Sequence, residues 1–205
     1  QSSAFYGINV RHVIIPNSVK KIFSNAFRNC QSLETVTGGY RVESFGSQVF
    51  YNCWRLKSLY IGSSCTSIGS QLIEACHALE TLTVSSSNPN YAAIGTVLFS
   101  KDYSVLISAP STSGHYIIPD TVNTVESYAF SNQNYNNIDP NYIGLTGVTI
   151  PSSVQDIGDG AFSNQNLTSV TVPSSVTSIG RNAFSFNDSL ITAEINSAVI
   201  GSSMF

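Results

Sequence analysis

The chain has 205 residues and a formal net charge of −3, with 42% hydrophobic but only 10% charged residues. Soluble globular domains usually carry roughly 25% charged residues, so this composition is typical of a neutral extracellular surface rather than of a cytosolic enzyme. The sequence contains no lysine or arginine run, which excludes a nucleic-acid partner. It also lacks the ~18 consecutive apolar residues of a membrane span, so we expect no membrane insertion by this segment.

A unit of about 23 residues recurs along the chain. The proline of Ile15-Pro16 serves as an anchor, and the spacings between equivalent positions are 23, 23, 23, 34, 32 and 22 residues, at Pro16, Gly39, Gly62, Ser85, Pro119, Pro151 and Pro173. Three further columns keep this register: a valine three residues after the anchor, a phenylalanine eleven after it and a leucine six before it. One such unit has too few apolar residues for its own core, so the units must stack as coils of a solenoid.

The residues before each anchor alternate between polar and apolar, as in Thr35-Val36-Thr37, which predicts half-buried strands. Stacked in register, these strands form a parallel sheet with neighbours ~4.8 Å apart. Proline at the anchor ends the strand because it cannot donate to the ladder. The Ser-Val-x-x-Ile-Gly segment then turns the chain, and the Ala-Phe pair packs inward from the opposite side of the coil.

These motifs carry a family resemblance. The unit formed by Ile150-Pro151-Ser152-Ser153-Val154, Ile157-Gly158, Ala161-Phe162 and Leu167 resembles the BspA-like, or Treponema-type, leucine-rich repeats. Together with the repeat analysis, the resemblance predicts an α/β-type, β-rich repeat solenoid: a right-handed coil of about eight repeats with a parallel sheet on its concave face. It implies a surface or secreted protein that contacts host or neighbouring-cell molecules, and it carries over no catalytic residues.

We predict a single leucine-rich-repeat domain over residues 1–205, with an irregular insert at 86–112 and a loop insertion at 133–144. The segment Asn88-Pro89-Asn90-Tyr91 and the apolar runs that follow it resemble the insert found between repeats in this family, and Ser100-Lys101-Asp102-Tyr103 is predicted to turn a hairpin. The loop carries Tyr135 and Tyr142, which are candidate binding residues, with tolerated surface drift as the alternative interpretation. Both ends of the chain stop inside a repeat, so we expect the natural protein to continue.

Aromatic residues interrupt the pattern in the second and third repeats, at Tyr40, Tyr51, Trp54 and Tyr60. Tyrosine and tryptophan bury a large area at low entropic cost, so these four are candidate binding residues. Tyr60 is predicted to project from the open sheet face, with Trp54 in the turn that leads to its strand. Core filling or coverage of a turn is the alternative interpretation.

The open sheet face has columns of threonine and serine, and beside them Arg11, Glu34, Lys57 and Glu80 alternate in sign one coil apart. We predict ion pairs between successive coils along that edge. The face has two histidines, His12 and His115, which are about four coils apart. They cannot share a proton or a metal at that distance.

Cys30, Cys53 and Cys76 occupy one phase of three consecutive repeats, and later repeats have Gln133, Gln165 and Asn187 there. This substitution pattern indicates a buried turn position that accommodates a small or polar side chain. Reduced thiols, a disulfide between neighbouring coils and a metal site are all compatible with the spacing, and reduced thiols are the favoured alternative. No nucleophile, base or phosphate-binding motif is present, so neither an enzyme nor a cofactor site is predicted.

The sequence therefore favours a non-catalytic, cell-surface or secreted module that binds a protein of a host or neighbouring cell, or a glycan. Two other functions fit the same repeats: a structural spacer that lifts another domain off a surface, and an accessory module beside a catalytic domain.

Overall fold

The computed structural model describes residues 3–132, 143–199 and 204–205. Seventeen strands lie in these residues, in chain order β1 (His12–Ile15), β2 (Lys21–Ile22), β3 (Thr35–Gly38), β4 (Ser44–Phe45), β5 (Ser58–Ile61), β6 (Ser67–Ile68), β7 (Thr81–Val84), β8 (Tyr91–Ile94), β9 (Val97–Ser100), β10 (Val105–Ser108), β11 (Gly114–Ile117), β12 (Thr124–Val125), β13 (Leu145–Thr149), β14 (Asp156–Ile157), β15 (Ser169–Val172), β16 (Ser178–Ile179) and β17 (Thr192–Ile195). They form a β-solenoid of about eight turns.

Each regular coil contributes one long strand before its anchor and one two-residue strand after it. The long strands β1, β3, β5 and β7 form a parallel sheet, and β11 pairs with β13 as β15 does with β17. Pairing follows the repeat, since Val13 lies opposite Val36 and Leu59 opposite Leu82. The two-residue strands also stack in parallel, as β2-β4-β6 and as β12-β14-β16, and β12 pairs in parallel with the four-residue strand β10. The predicted strands and their parallel register are confirmed.

The phenylalanine column forms the centre of the core as two stacks. Phe5, Phe27 and Phe50 stack with ring centroids 5.2 and 5.5 Å apart. A second stack of four rings has centroid separations of 5.0, 5.2 and 5.9 Å and contains Phe130, Phe162, Phe184 and Phe205. The predicted column is therefore confirmed, but the inserted segment divides it between two hydrophobic clusters.

The α/β part of the predicted fold class is wrong, because the described residues contain no helix. The chain turns around the phenylalanine through two residues in the left-handed region, four positions apart, such as Asn25 and Asn29, both at φ 60°. Left-handed residues break an α-helix, so the segment donates instead to the neighbouring coil, as Phe27 N does to Val49 O at 3.0 Å. No helix in the described ranges is long and apolar enough to cross a membrane. The handedness of the coil and the concave position of the sheet stay predictions.

The insert folds as an antiparallel meander of β8, β9 and β10. The predicted hairpin is confirmed as β9 and β10, and the carboxylate of Asp102 fixes its turn by accepting hydrogen bonds from Ser100 Oγ (2.7 Å) and Ser104 Oγ (2.8 Å). These bonds lower the pKa of Asp102 to about 2. Strand β9 separates the two cores, because Leu98 belongs to the first cluster and Phe99 to the second.

Candidate binding face

The solvent-facing side of the long strands, here called the strand face, is formed by every second residue of each strand. In β1 and β15 the alternation is clear: Ile14 and Thr171 face solvent, whereas Ile15 and Val172 are buried. This follows from the two-residue period of side chains along a strand. The strand face is therefore an open surface of stacked side-chain columns.

Tyr40 and Tyr60 meet on this side of the molecule. Their ring centroids are 5.2 Å apart at an interplanar angle of 67°, an edge-to-face contact, and Tyr40 is 56% exposed. Gly38 and Gly39, at φ 79° and 70°, redirect the chain after β3 and so place Tyr40 there. A Cβ on Gly38 would lie 2.2 Å from Ile15 O, so only glycine allows this path.

The tyrosine pair, Tyr40 and Tyr60, has apolar and charged residues on the neighbouring strands. Ile14 occupies the same column as Tyr60 and is 79% exposed. At the edge of the face, Arg11 Nη2 and Glu34 Oε1 form an ion pair at 2.7 Å, and the hydrogen bond from Arg11 is the largest cause of the lowered pKa of Glu34.

The predicted series of ion pairs is confirmed only at its first step. Arg11 pairs with Glu34, but no ion pair joins Lys57 to Glu80, although the structure describes both residues. A second pair between coils lies in another column, where Lys20 Nζ is 2.9 Å from Glu43 Oε1.

The remaining aromatic candidates lie elsewhere. Tyr51 and Trp54 belong to the turn segment after the phenylalanine column. Tyr51 is buried, with the Arg28 guanidinium 4.4 Å from its ring centroid. Trp54 is half-buried, with Arg55 4.7 Å from its ring centroid. The structure thus brings together two of the predicted residues, Tyr40 and Tyr60. The loop candidates Tyr135 and Tyr142 lie outside the described residues.

The cysteine column is a row of hydrogen-bond donors between coils. Cys53 Sγ donates to Phe27 O at 3.0 Å and Cys76 Sγ to Phe50 O at 3.1 Å. Asn187 Nδ2 makes the equivalent bond to Phe162 O at 2.9 Å. All four cysteines of the chain are free and buried, and burial raises the pKa of Cys76 to about 12. The predicted polar turn position is confirmed, and the carbonyl that it satisfies belongs to the preceding coil's phenylalanine column.

The two histidines of the strand face each pair with a threonine of the next coil. His12 Nδ1 lies 2.8 Å from Thr35 Oγ1, and His115 Nε2 lies 2.9 Å from Thr149 Oγ1. Within the described ranges, no group of three or more His, Cys, Asp or Glu side chains could hold a metal ion. Sequence reasoning did not find the groove that lies beside His115, between β13 and β15. The sequence feature that could have indicated it is Gly147, a glycine in a column that otherwise has side chains.

The repeat pattern and the stacked coils agree with a known repeat class. A model of the BspA type leucine-rich repeat region matches the chain in six copies, over residues 1–132 and 111–205. The chain belongs to the BspA-type leucine-rich repeat family. The expectation drawn from its repeat motifs is therefore confirmed. A search of curated protein sequences found no match for this BspA-type chain.

Solved structures similar to this BspA-type chain are bacterial. A leucine-rich repeat protein from Eubacterium ventriosum is 29% identical with a TM-score of 0.75, over 96% of this chain and 57% of that chain. A leucine rich cell surface protein from Faecalibacterium prausnitzii is 25% identical with a TM-score of 0.70, over 92% and 60%. The pneumococcal vaccine antigen PcpA, at 22% identity, a TM-score of 0.74 and coverages of 98% and 53%, shows the fold alone. The chain thus spans between 53% and 60% of the length of these proteins.

Proposed function

We propose that this chain is a non-catalytic module that binds a protein of a host or neighbouring cell through its strand face, at the tyrosine pair. The observation that carries the proposal is the exposed edge-to-face contact between Tyr40 and Tyr60. Tyrosine is enriched among the residues that dominate binding energy because its rigid ring buries a large area and its hydroxyl can form a hydrogen bond.

The surroundings of the tyrosine pair suit a protein partner. Ile14 adds exposed apolar area in the same column, and the ion pair of Arg11 with Glu34 supplies charge at the edge. An apolar centre with a polar rim is the usual composition of a protein interface. The backbone hydrogen bond from Gly39 N to Ile15 O, at 2.8 Å, anchors the chain just before Tyr40, which reduces the entropy lost on binding.

We further propose a cell-surface or extracellular location. The low charge content supports it, as does the similarity to a protein described as a leucine rich cell surface protein. A spacer or accessory module remains the alternative function, because the matched bacterial proteins are longer than this chain.

The test is binding of the purified chain to a panel of immobilised matrix proteins, measured by biolayer interferometry. Replacing Tyr40 and Tyr60 together by alanine should weaken binding at least about 30-fold, since loss of a dominant contact costs about 2 kcal/mol or more. Phe186→Ala is the matched control, because Phe186 is an exposed aromatic residue of a turn segment. A spacer would bind none of the panel. Equal binding by the double variant and the control would place the contact elsewhere.

A further inference from the structure

A polar groove of about 430 Å³ crosses the strand face between β13 and β15. It lies on different strands from the tyrosine pair. Its lining side chains are mainly hydroxyl groups together with one imidazole, contributed by His115, Thr146, Thr149, Thr168, Ser169 and Thr171. Thr149, Ser169 and Thr171 are exposed on the strand face, so their hydroxyls are accessible.

A change of register in β13 produces the groove. Gly114 lies opposite Leu145, but the next residue, His115, lies opposite Gly147, so Thr146 is an extra residue. Such a bulge bends the strand that contains it. Thr168 N donates to Thr146 O at 3.2 Å where the two strands begin, and beyond that point the described parts of β13 and β15 share no ladder pairing. The sheet is therefore open along this line.

Gly147 forms the floor of the groove. Its column has a side chain in the neighbouring coils, at His115 and at Ser169. A Cβ on Gly147 would lie 2.5 Å from His115 Nδ1, so the imidazole covers the space that this side chain would fill. The contact of His115 Nε2 with Thr149 Oγ1, at 2.9 Å, orients the ring. Nδ1 is thereby placed over bare backbone at the edge of the groove.

We propose that this groove binds an uncharged carbohydrate. Its lining residues offer hydroxyl and imidazole groups that both donate and accept hydrogen bonds, which matches the alternating donors and acceptors of sugar hydroxyls. No lysine, arginine, aspartate or glutamate is among them, so the groove does not select an ionic ligand. An extended peptide draws its specificity from pockets for alternate side chains. The apolar residues that line the groove, Val148, Ile150 and Val170, are buried and offer no pocket of that kind.

The test is an NMR titration of the ¹⁵N-labelled chain with three neutral probes: maltohexaose, cellohexaose and xylohexaose. At least one probe should cause saturable shifts of the amide signals of Gly147, Thr149 and Ser169, with a Kd on the order of 1 mM or tighter. The affinity should not change with salt concentration, because uncharged partners are not screened. No saturable shifts with any of the three probes, or shifts only with a hydroxyl-rich peptide, would overturn the proposal.

Two variants locate the site. His115→Ala should weaken binding about tenfold by removing an oriented hydrogen-bonding group, and Gly147→Val should abolish it by filling the floor. The control is His12→Ala, which removes an equivalent histidine–threonine contact far from the groove. Melting temperatures of all variants establish that they fold. Unchanged affinity in a folded His115→Ala protein would refute the assignment. The outcome is independent of the tyrosine pair, which is tested with protein ligands.

Discussion

Replacing Glu74 by glutamine should change how the stability of this protein depends on pH. Glu74 is only 2% exposed and lies in a polar chain that joins several coils. The Gln71 amide donates to Glu74 Oε2, and Gln48 Nε2 donates to Gln71 Oε1 at 2.7 Å. The Arg28 guanidinium donates to Gln48, and the Ser131 side chain approaches Glu74 from the far side of the insert.

Burial is the dominant influence on this carboxyl. It raises the pKa of Glu74 from 4.5 to about 7, against the opposing effects of the neighbouring Ser131 and Gln71 side chains and of the Arg28 charge. The folded protein therefore binds more protons than the unfolded chain between these two values. The associated stability is fully present below pH 4.5 and is lost as the pH rises through about 7. At 1.36 kcal/mol per pKa unit, the loss is about 3 kcal/mol.

Urea unfolding at a series of pH values from about 4 to about 9 measures this effect. Glutamine keeps the shape of the side chain and can still accept from Gln71, and it has no charge to desolvate. The free energy of unfolding of Glu74→Gln should therefore exceed that of the natural protein by about 3 kcal/mol at the alkaline end, and the gap should close near pH 4. Glu80→Gln, on the exposed surface, is the control and should follow the natural protein. Parallel profiles for Glu74→Gln and the natural protein would show that the carboxyl does not titrate as argued.

Three further substitutions test the packing between coils by urea or thermal unfolding. Gly158→Ala should cost about 2 kcal/mol or more, because the added Cβ would lie 2.4 Å from Ser127 N; a neutral effect would mean that the coils can separate at little cost. Phe162→Ala should cost about 3–5 kcal/mol by opening a cavity inside a ring stack, and a loss below 1 kcal/mol would contradict the stacked core. Asn187→Cys should destabilise by about 1 kcal/mol less than Asn187→Leu, since the thiol retains a donor for Phe162 O; the reverse order would remove the role assigned to this column.

The sequence predicts most of the fold because residues in the same repeat column are buried or exposed together. Val36 and Val170 sit at the same phase as other buried strand residues, and Phe162 stacks where its column places it. The cysteine column could be predicted as a buried turn position for the same reason, because the thiols of the early repeats are replaced there by Gln165 and Asn187 in later repeats.

Other features could not be predicted from the sequence because they depend on backbone conformation. Asn25 and Asn29 adopt left-handed dihedrals, which apolar periodicity does not detect, and this is why the predicted α/β class is wrong for the turn. Four of the six described two-residue strands are followed by a glycine, and the exceptions are Phe23 in the first of these coils and Glu126. Gly158 must be glycine because the preceding coil lies against it, whereas Glu126 occupies the same position directly after the insert. That exchange marks the place where regular stacking is interrupted.

Among the candidate site residues, Tyr60 could be placed on the strand face from strand alternation alone. Its contact with Tyr40 could not, because it requires two consecutive glycines with positive φ. The groove beside His115 depends on a one-residue bulge at Thr146, and spacing that varies between repeats conceals a single extra residue.

Strand β9 borders both hydrophobic clusters, because Leu98 packs in one and Phe99 in the other. Coils added to or removed from one side would leave the packing on the other side unchanged. Under a pulling force the molecule should therefore unfold in two events, one for each hydrophobic cluster, with a pause when unfolding reaches β9. The insert therefore gives an otherwise uniform stack an internal boundary, and duplication of repeats can lengthen either half independently.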